Sequence, residues 1–424
     1  MPSLNFAINF AGISTVLCFA AYGLKVFLST FRLNEFSHEV TELERQLLQL
    51  EIRHLMDRKE AERKETELSW KGLRKFQVKK KVPEVGNICS FYLAPHDGKP
   101  LPPFKPGQYL TFQLNVHGQK KPVIRCYSLS DSPTHPDYYR VSIKRVPPPP
   151  DQPEAPPGLS SNFFHDHVKE GDILDVKAPA GHFFLDMTRN RPVVLIGGGV
   201  GITPVLSMLN AIIEQNARRD VWFFLGVRNS KEHCFREHLN RLALENPNIK
   251  LQVCYSEPLK TDRRGKDFLW PTRVGVPLFK KVLPSSNFDF YICGPGPMMD
   301  QIKADCLAWG VPPENFHMEA FGAATVKKVA APAPAAAAAG SLEVFFKKSN
   351  KKCTWAPGTA SLLDFAEAND IKMDFGCRAG NCGTCAVAIT AGEVQYNVDT
   401  GAKPEGGSCL ACVSVPKSNL TVDA

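Results

Sequence analysis

Three cysteines near the C-terminus stand in the run Cys377-Arg-Ala-Gly-Asn-Cys382-Gly-Thr-Cys385. A loop with C-x4-C-x2-C spacing delivers three thiolates to one small [2Fe–2S] cluster, and a fourth thiolate comes from farther along the chain. Here that fourth residue is Cys409 or Cys412. Gly376, Gly380 and Gly383 let the backbone curl around inorganic sulfide without side-chain clash. Structural zinc is the rival reading, but zinc sites usually show paired C-x2-C knuckles rather than this loop. The chemistry that these residues point to is one-electron transfer.

A second group lies upstream. Arg125-Cys-Tyr-Ser-Leu-Ser130 offers an Arg able to clamp a diphosphate, a Tyr able to pack on a flat ring, and serines able to donate to ring nitrogens. Gly158-Leu-Ser-Ser-Asn162 presents N–H groups and hydroxyls to phosphate at a helix start. Ile196-Gly-Gly-Gly-Val-Gly-Ile-Thr-Pro204 follows an apolar strand and opens a helical run, so its glycines allow backbone to approach a pyrophosphate. It departs from a strict G-x-G-x-x-G, because Ile202 stands in the place of the last glycine. Cys293-Gly-Pro-Gly-Pro-Met298 ends another strand at the same sheet edge, where such folds bind ligands. Singly the hexapeptide is an ordinary strand; the ordered set carries the meaning.

Distinct scaffolds must position these groups. From Trp70 to Met187 the chain reads as short strands between Pro/Gly turns, such as Gln108–Leu114 and Tyr139–Lys144, which predicts a small antiparallel barrel. From Arg191 to Phe321, apolar runs (Val193–Ile196, Val221–Leu225, Leu251–Cys254, Phe288–Cys293) alternate with helical segments, which predicts a parallel sheet covered on both faces. Ala330–Gly340 is an Ala/Pro spacer, stiff enough to set a span and loose enough to let the C-terminal domain swing. Beyond it, Leu342–Lys347 alternates like a strand and Ser361–Ala368 reads as a short helix.

The N-terminal residues differ in kind. Leu4 to Leu24 carries no charged side chain and has about the length of a bilayer-crossing helix. Lys25 and Arg32 come after it, so the positive-inside rule places the N-terminus outside and the catalytic domains in the cytoplasm, on a single-pass anchor in the cytoplasmic membrane. A cleaved signal peptide would need a basic n-region that is missing here; a buried core helix is the third reading. Phe36, Val40, Leu43, Leu47 and Leu50 then form an a/d seam. It reads either as a stalk that self-associates over two heptads or as a single helix lying against the next domain. The chain has 424 residues, a net charge of +8 of mixed sign and 13 cysteines. Without a basic helix or an aromatic-interleaved basic patch, no nucleic-acid partner is indicated, and the scattered cysteines read as thiols in a reducing compartment.

Taken together, the motifs over residues 71–424 resemble the ferredoxin-NADP reductase superfamily fused to a plant-type ferredoxin domain. Within it they are most similar to the reductase half of flavohaemoglobins and to reductase components of oxygenases, through Pro106-Gly-Gln-Tyr109, Tyr127-Ser-Leu-Ser-Asp-Ser-Pro133, Asn162-Phe-Phe-His-Asp166 and Glu319-Ala-Phe321-Gly322. The expected architecture is multidomain. A transmembrane helix (1–31) and helical stalk (32–70) precede an antiparallel β-barrel FAD domain (71–187). An α/β parallel-sheet NAD(P) domain (188–322), a linker (323–340) and an α+β, β-grasp ferredoxin domain (341–424) complete it.

The resemblance also implies roles, residue by residue. Arg125 would hold the flavin diphosphate, Tyr109 and Tyr127 flank the isoalloxazine and its ribityl chain, and Ser128 donates to its N5, with Leu129 and Ser130 completing the motif. Gly158, Ser160, Ser161 and Asn162 match the phosphate loop. Gly198, Gly199, Val200, Gly201, Ile202, Thr203 and Pro204 match the nicotinamide-nucleotide loop, with Arg228, Ser256 and Gly294 beside it. Cys293 would stand near the nicotinamide, and Glu319 and Phe321 at the flavin edge; Tyr127, Ser128, Cys293 and Glu319 form the catalytic set. Leu-Ala-Cys412-Val-Ser-Val starts a buried strand, as in ferredoxins, so Cys377, Cys382, Cys385 and Cys412 are the expected ligands. Two departures stand out: the Pro-rich insertion at 147–157, and Cys126 where flavohaemoglobins often carry Gln.

FAD is favoured over FMN by the Ser-Asp-Ser-Pro stretch. NADH is favoured over NADPH because Glu257 comes after Ser256 where NADP-specific relatives carry Arg, although Arg228, Arg263 and Arg264 keep NADPH open. The expected activity passes electrons from NADH through FAD and the cluster to an oxygenase, hydroxylase or desaturase. A quinone-reducing membrane dehydrogenase and a non-catalytic redox sensor or scaffold are the alternatives. The subunit known for the former places its ferredoxin domain first, the reverse of the order here; the intact flavin and nucleotide motifs argue against the latter.

Overall fold

The computed structural model describes residues 2–119, 122–148, 152–215, 219–321, 342–356, 358–378, 380, 383–397, 400, 402 and 404–424. The chain divides into two compact units, Met1–Glu67 and Leu68–Ala424. The Ala/Pro spacer lies outside the described residues.

The first unit is one helix, α1 (Pro2–Leu68), about 100 Å long at 1.5 Å per residue. The expected membrane anchor needs correction, and with it the single-pass placement in the cytoplasmic membrane. Among the described residues, no helix is long and apolar enough to cross a membrane. Asn5, Asn9, Ser14 and Thr15 break up the apolar run, and the helix does not end at a bilayer's width but continues into a heavily charged stretch. The side chains of residues 2–18 and 30–39 lie outside the described set, Phe36 of the expected seam among them. Val40, Leu43, Leu47 and Leu50 are exposed. Ion pairs such as Lys64–Glu60 (2.7 Å) decorate the helix surface and, screened by solvent, add little to its stability.

The second unit begins with the barrel. Its strands are β1 (Arg74–Pro83), β2 (Ile88–Pro95), β3 (Tyr109–Leu114), β4 (Val123–Ser128), β5 (Tyr139–Lys144) and β6 (Ile173–Ala180). They form an antiparallel sheet in the order β4-β3-β6-β1-β2-β5. A Leu129–Val141 bridge joins its two end strands. Helix α2 (Leu159–Asp166) plugs one end of this sheet. Its Phe164 is fully buried and lies edge-on to Phe91, Phe112 and Tyr127, at 5.2, 5.2 and 5.3 Å between ring centres. Edge-to-face packing of this kind suits the ring quadrupoles.

Next come β7 (Val193–Gly198), α3 (Ile202–Glu214), β8 (Val221–Val227), α4 (Arg236–Glu245), β9 (Ile249–Tyr255), α5 (Val276–Val282), β10 (Asp289–Cys293), α6 (Gly296–Ala308) and β11 (Phe316–Glu319). The sheet is parallel, in the order β11-β10-β7-β8-β9. Every residue of β7 is buried, as a strand covered on both faces must be. The chain winds outward from β7 through β8 and β9, then crosses back to place β10 on the other side of β7. This reversal leaves a crevice at the carboxyl ends of β7 and β10, the place where such sheets bind ligands.

The C-terminal region holds β12 (Glu343–Phe346), β13 (Lys351–Thr354), α7 (Leu362–Ala368), β14 (Ala386–Ala391), β15 (Val394–Tyr396), β16 (Ser408–Leu410), β17 (Ser414–Pro416) and β18 (Leu420–Val422). A mixed sheet in the order β13-β12-β18-β14-β16 is packed by the buried Leu362, Leu363, Phe365 and Ala366 of α7. Ser361 caps that helix, its Oγ accepting from the Asp364 N–H at 3.1 Å.

Phe164 ties the barrel core to Tyr127. The substitution Phe164→Ala is expected to lower stability by about 3–5 kcal/mol, read as a reduced urea midpoint for the full-length protein.

Candidate active site

A cavity of about 460 Å³ gathers residues from widely separated segments: Tyr109, Arg125, Tyr127 and Ser128 from β3 and β4, Ser161 from α2, Val200 and Thr203 from the glycine loop, Glu319 and Phe321 at the end of β11, and Cys377 and Arg378 from the cysteine loop. Strand register places Tyr109 opposite Ser128 and Leu110 opposite Tyr127. The Tyr127 hydroxyl hydrogen-bonds Ser160 Oγ at 2.8 Å. Burial pushes the Tyr127 phenol up to about 12, so it stays a neutral hydroxyl. Ser128 Oγ donates to Glu319 Oε2 at 3.4 Å, both groups being buried. The combination of aromatic faces, an arginine and converging hydroxyls fits a flat ring carrying a diphosphate.

Cys293 ends β10, opposite Gly197 of β7 and Glu319 of β11. It is fully buried. Burial first, and the Glu319 charge second, raise its thiol well above the ordinary range. At Gly201 a Cβ would sit 2.2 Å from the Cys293 carbonyl oxygen. Only glycine therefore lets the loop after β7 close against the end of β10.

A second cavity, of about 670 Å³, continues from the glycine loop and is lined by Gly198, Gly199, Arg228, Glu232, Ser256 and Glu257. Lys144 borders both cavities. Arg228 Nε donates to Glu232 Oε1 at 2.9 Å, and that bond holds the Glu232 carboxyl below its ordinary range. The Arg228 charge in this cavity is therefore already offset. Arg263 and Arg264 do not border this cavity; Arg264 Nε instead donates to Leu269 O at 3.1 Å.

Several expected residues sit elsewhere. Leu129 is in the barrel core, and its N–H donates to Gln108 O. Ser130 does not line the cavity; its Oγ is bound at 2.8 Å to Ser142 Oγ, and Ser142 does line it. Asn162 Nδ2 donates to Val146 O and Gly158 O, both at 2.8 Å, and so ties the loop that contains Gly158 to the end of β5. Ile202 and Pro204 are buried in the packing of α3, and Gly294 lies against Gly198. Sequence reasoning missed Lys144, Val146 and Arg378 as cavity walls. Lys144 and Val146 belong to no motif, and Arg378 lies inside a motif with another meaning.

Among the cysteines, Cys385 Sγ and Cys412 Sγ are 3.1 Å apart, with Cys377 close enough for its charge to act on Cys412. The Gly380 N–H points at the Cys412 sulfur. Cys409 is buried and accepts from Ser414 Oγ at 3.7 Å. Cys382 lies outside the described residues. None of the four described cysteines here is in a disulfide. Sulfurs crowded this closely, without a disulfide and with an N–H aimed at one of them, fit a shared iron–sulfur centre. Arg378 (φ 52°) pins the loop through Asp364 at 3.3 Å, through Glu367, and by stacking 4.1 Å over Phe375.

Comparison with known proteins agrees with this layout. Residues 75–185 match the oxidoreductase FAD-binding domain, 195–304 the oxidoreductase NAD-binding domain and 344–417 the 2Fe-2S iron-sulfur cluster binding domain. A flavohemoprotein of Bacillus cereus is 44% identical over 255 residues, which is 60% of this chain and 62% of the relative. The chain thus spans less than two thirds of the curated relatives it matches. The flavohem-like FAD/NAD-binding domain of a nitric oxide dioxygenase from Vibrio cholerae is 35% identical (TM-score 0.52), covering 59% of this chain and 100% of that one. Phthalate dioxygenase reductase, described as a modular structure for electron transfer from pyridine nucleotides to [2Fe–2S], is 25% identical (TM-score 0.53), covering 83% and 98%. The chain therefore joins oxidoreductase FAD-binding and NAD-binding domains to a 2Fe-2S cluster binding domain. It belongs to the ferredoxin-NADP reductase superfamily, with a C-terminal [2Fe–2S] domain fused to the reductase.

With its proton held by burial, Cys293 is expected to resist alkylation. Native protein treated with iodoacetamide at pH 8 should show no modification at this position by peptide mass spectrometry, and urea-unfolded protein should show full modification.

Proposed function

We propose that this chain takes electrons from NADH and hands them singly, through its [2Fe–2S] centre, to a separate oxygenase, hydroxylase or desaturase. The observation that carries this reading is the shared cavity: Cys377 and Arg378 of the cysteine loop border the same space as Tyr109, Tyr127, Ser128 and Phe321. FAD supplies the exchange between two-electron and one-electron chemistry, and the cluster supplies the one-electron exit. The resemblance to phthalate dioxygenase reductase, whose name couples it to an oxygenase, supports the class of acceptor.

The chain's own residues have definite tasks in this reading. Tyr109, Tyr127 and Phe321 give the isoalloxazine its apolar walls, and the Ser160 hydrogen bond fixes the Tyr127 ring. Arg125 and Ser161 line the cavity and take the diphosphate; Ser160 and Asn162 hold the phosphate loop in shape around it. Ser128 places its hydroxyl at the reactive edge; its one proton goes to Glu319 here and turns to the flavin when the ring binds. Cys293 is fully buried and borders neither cavity; it backs the nucleotide end of the site from behind the sheet edge and does not attack, because a buried thiol is a poor nucleophile. Gly198, Gly199, Val200, Gly201 and Thr203 bring backbone to the dinucleotide, beside Ser256. Cys377, Cys382, Cys385 and Cys412 hold the cluster.

Two measurements test the reading. NADH added to the holoprotein should bleach the flavin and produce the rhombic electron-paramagnetic signal of a reduced two-iron centre. Cys412→Ser should remove that signal while Cys409→Ser keeps it; loss with both, or with neither, contradicts the ligand set. For the nucleotide, Glu257→Arg should raise the ratio of NADPH to NADH specificity by about 10-fold or more. A 2′-phosphate then meets a bidentate donor instead of a carboxylate.

A further inference from the structure

Among the described residues, the segment carrying the cysteine loop meets the barrel side in these contacts. Tyr109 Oη and Thr384 Oγ1 are 3.0 Å apart. Lys177 Nζ of β6 donates to Asp374 Oδ1 at 2.8 Å. A Cβ on Gly383 (φ 73°) would sit 2.6 Å from His182 Nε2, so the loop passes close to the His182 ring. The Lys177–Asp374 pair is exposed, Asp374 at 81%, and pairs of that kind hold little in water. The Tyr109–Thr384 contact is partly buried. Tyr109 is itself 2% exposed and borders the flavin-side cavity, while Thr384 immediately precedes Cys385.

We propose that Thr384 is a positioning residue that docks the iron–sulfur loop on the flavin cavity by hydrogen-bonding Tyr109, so that one side chain serves both the flavin wall and the approach of the cluster. The proposal rests on the reductase function set out above. The transferred electron leaves the reduced isoalloxazine and turns one of the two ferric ions ferrous; no bond at Tyr109 or Thr384 forms or breaks. The contact acts through geometry alone, by raising the population of the docked arrangement. A hydrogen bond of ordinary net strength changes that population by about 2- to 10-fold.

The test uses the full-length holoprotein with Thr384→Val, which removes the hydroxyl and keeps the shape. Stopped-flow absorbance with NADH should give flavin bleaching at the wild-type rate, with cluster reduction slowed about 2- to 10-fold. A second readout needs no turnover. Zero-length carbodiimide joins Lys177 to Asp374 when the loop is docked, and the yield of that cross-linked peptide should fall in Thr384→Val by a similar factor. Thr384→Ser should restore both. Wild-type cross-linking and wild-type cluster reduction in Thr384→Val overturn the proposal, as does a Thr384→Ser protein impaired like Thr384→Val. Where Thr384→Val fails to assemble its cluster, Tyr109→Phe removes the same bond from the barrel side, and an unchanged cross-link yield there overturns the proposal equally. Failure of NADH to bleach the wild-type flavin would instead strike the reductase function itself.

Discussion

The close approach of backbone at the ends of β7 and β10 is the constraint on which the site depends. Gly201 leaves no room for a side chain against the Cys293 carbonyl. That contact draws the glycine loop over the sheet edge and sets the start of α3. It also fixes where Cys293 and, one strand over, Glu319 emerge. Glu319 in turn meets Ser128 from the barrel. A single steric condition in the nucleotide fold thus reaches the flavin side of the molecule through two short links. Widening it by one methyl group would have to displace backbone rather than a side-chain tip, which packed interiors resist.

Electrostatics then divides the site into parts that hold charge and parts that refuse it. Cys293 and Tyr127 are buried enough to stay protonated. Tyr127 can thus shape its cavity without acting as an anion, and Cys293 can pack behind the sheet edge without acting as a nucleophile. Charge is kept where it is paired: Arg228 with Glu232 on the nucleotide side, and Arg378 with Asp364 and Glu367 at the cysteine loop. The second arrangement matters for the loop's shape. Arg378 sits at positive φ beside Cys377, a conformation that is costly for a side-chain-bearing residue. Its two carboxylate partners on α7 hold it there, so the ferredoxin helix and the cysteine loop are fixed as one piece.

The residues whose chemistry is carried by local spacing were readable in the chain. The cysteine run, the glycine loop and the flavin hexapeptide all combine a turn or strand with a side-chain type that only one class of ligand needs. The alternation of apolar runs with helices likewise pointed to the parallel sheet. The run from Leu410 to Val415, expected to start one buried strand, instead makes a 3-10 turn at Ala411–Val413 before β17 begins at Ser414. Long-range geometry was less readable. Lys144 and Val146 border the cavity because β5 pairs with β2 and the barrel closes through Val141, facts that no local pattern encodes. Leu129 and Ser130 look like part of the flavin motif, but the chain turns them into the barrel interior. At the N-terminus, an uncharged stretch resembled a membrane span because charge is easier to notice than diluted hydropathy. The helix there is real, but a helix long and apolar enough to span is not found among the described residues.

A reductase of this kind must meet two opposed demands. The cluster has to approach the flavin closely to receive an electron, and its loop has to be free enough to pass the electron on. Among the described residues, the contacts between loop and barrel include one partly buried hydroxyl pair, one exposed ion pair and one glycine passing an imidazole. The ferredoxin core is separate from the barrel core, each with its own buried cluster of side chains. Docking can therefore be lost without unfolding either part. An interface built of a few polar contacts over two independent cores is the arrangement expected where association must be specific but brief. In the function proposed above, such an interface puts control of electron exit in the residues at the loop as well as in the cofactor sites.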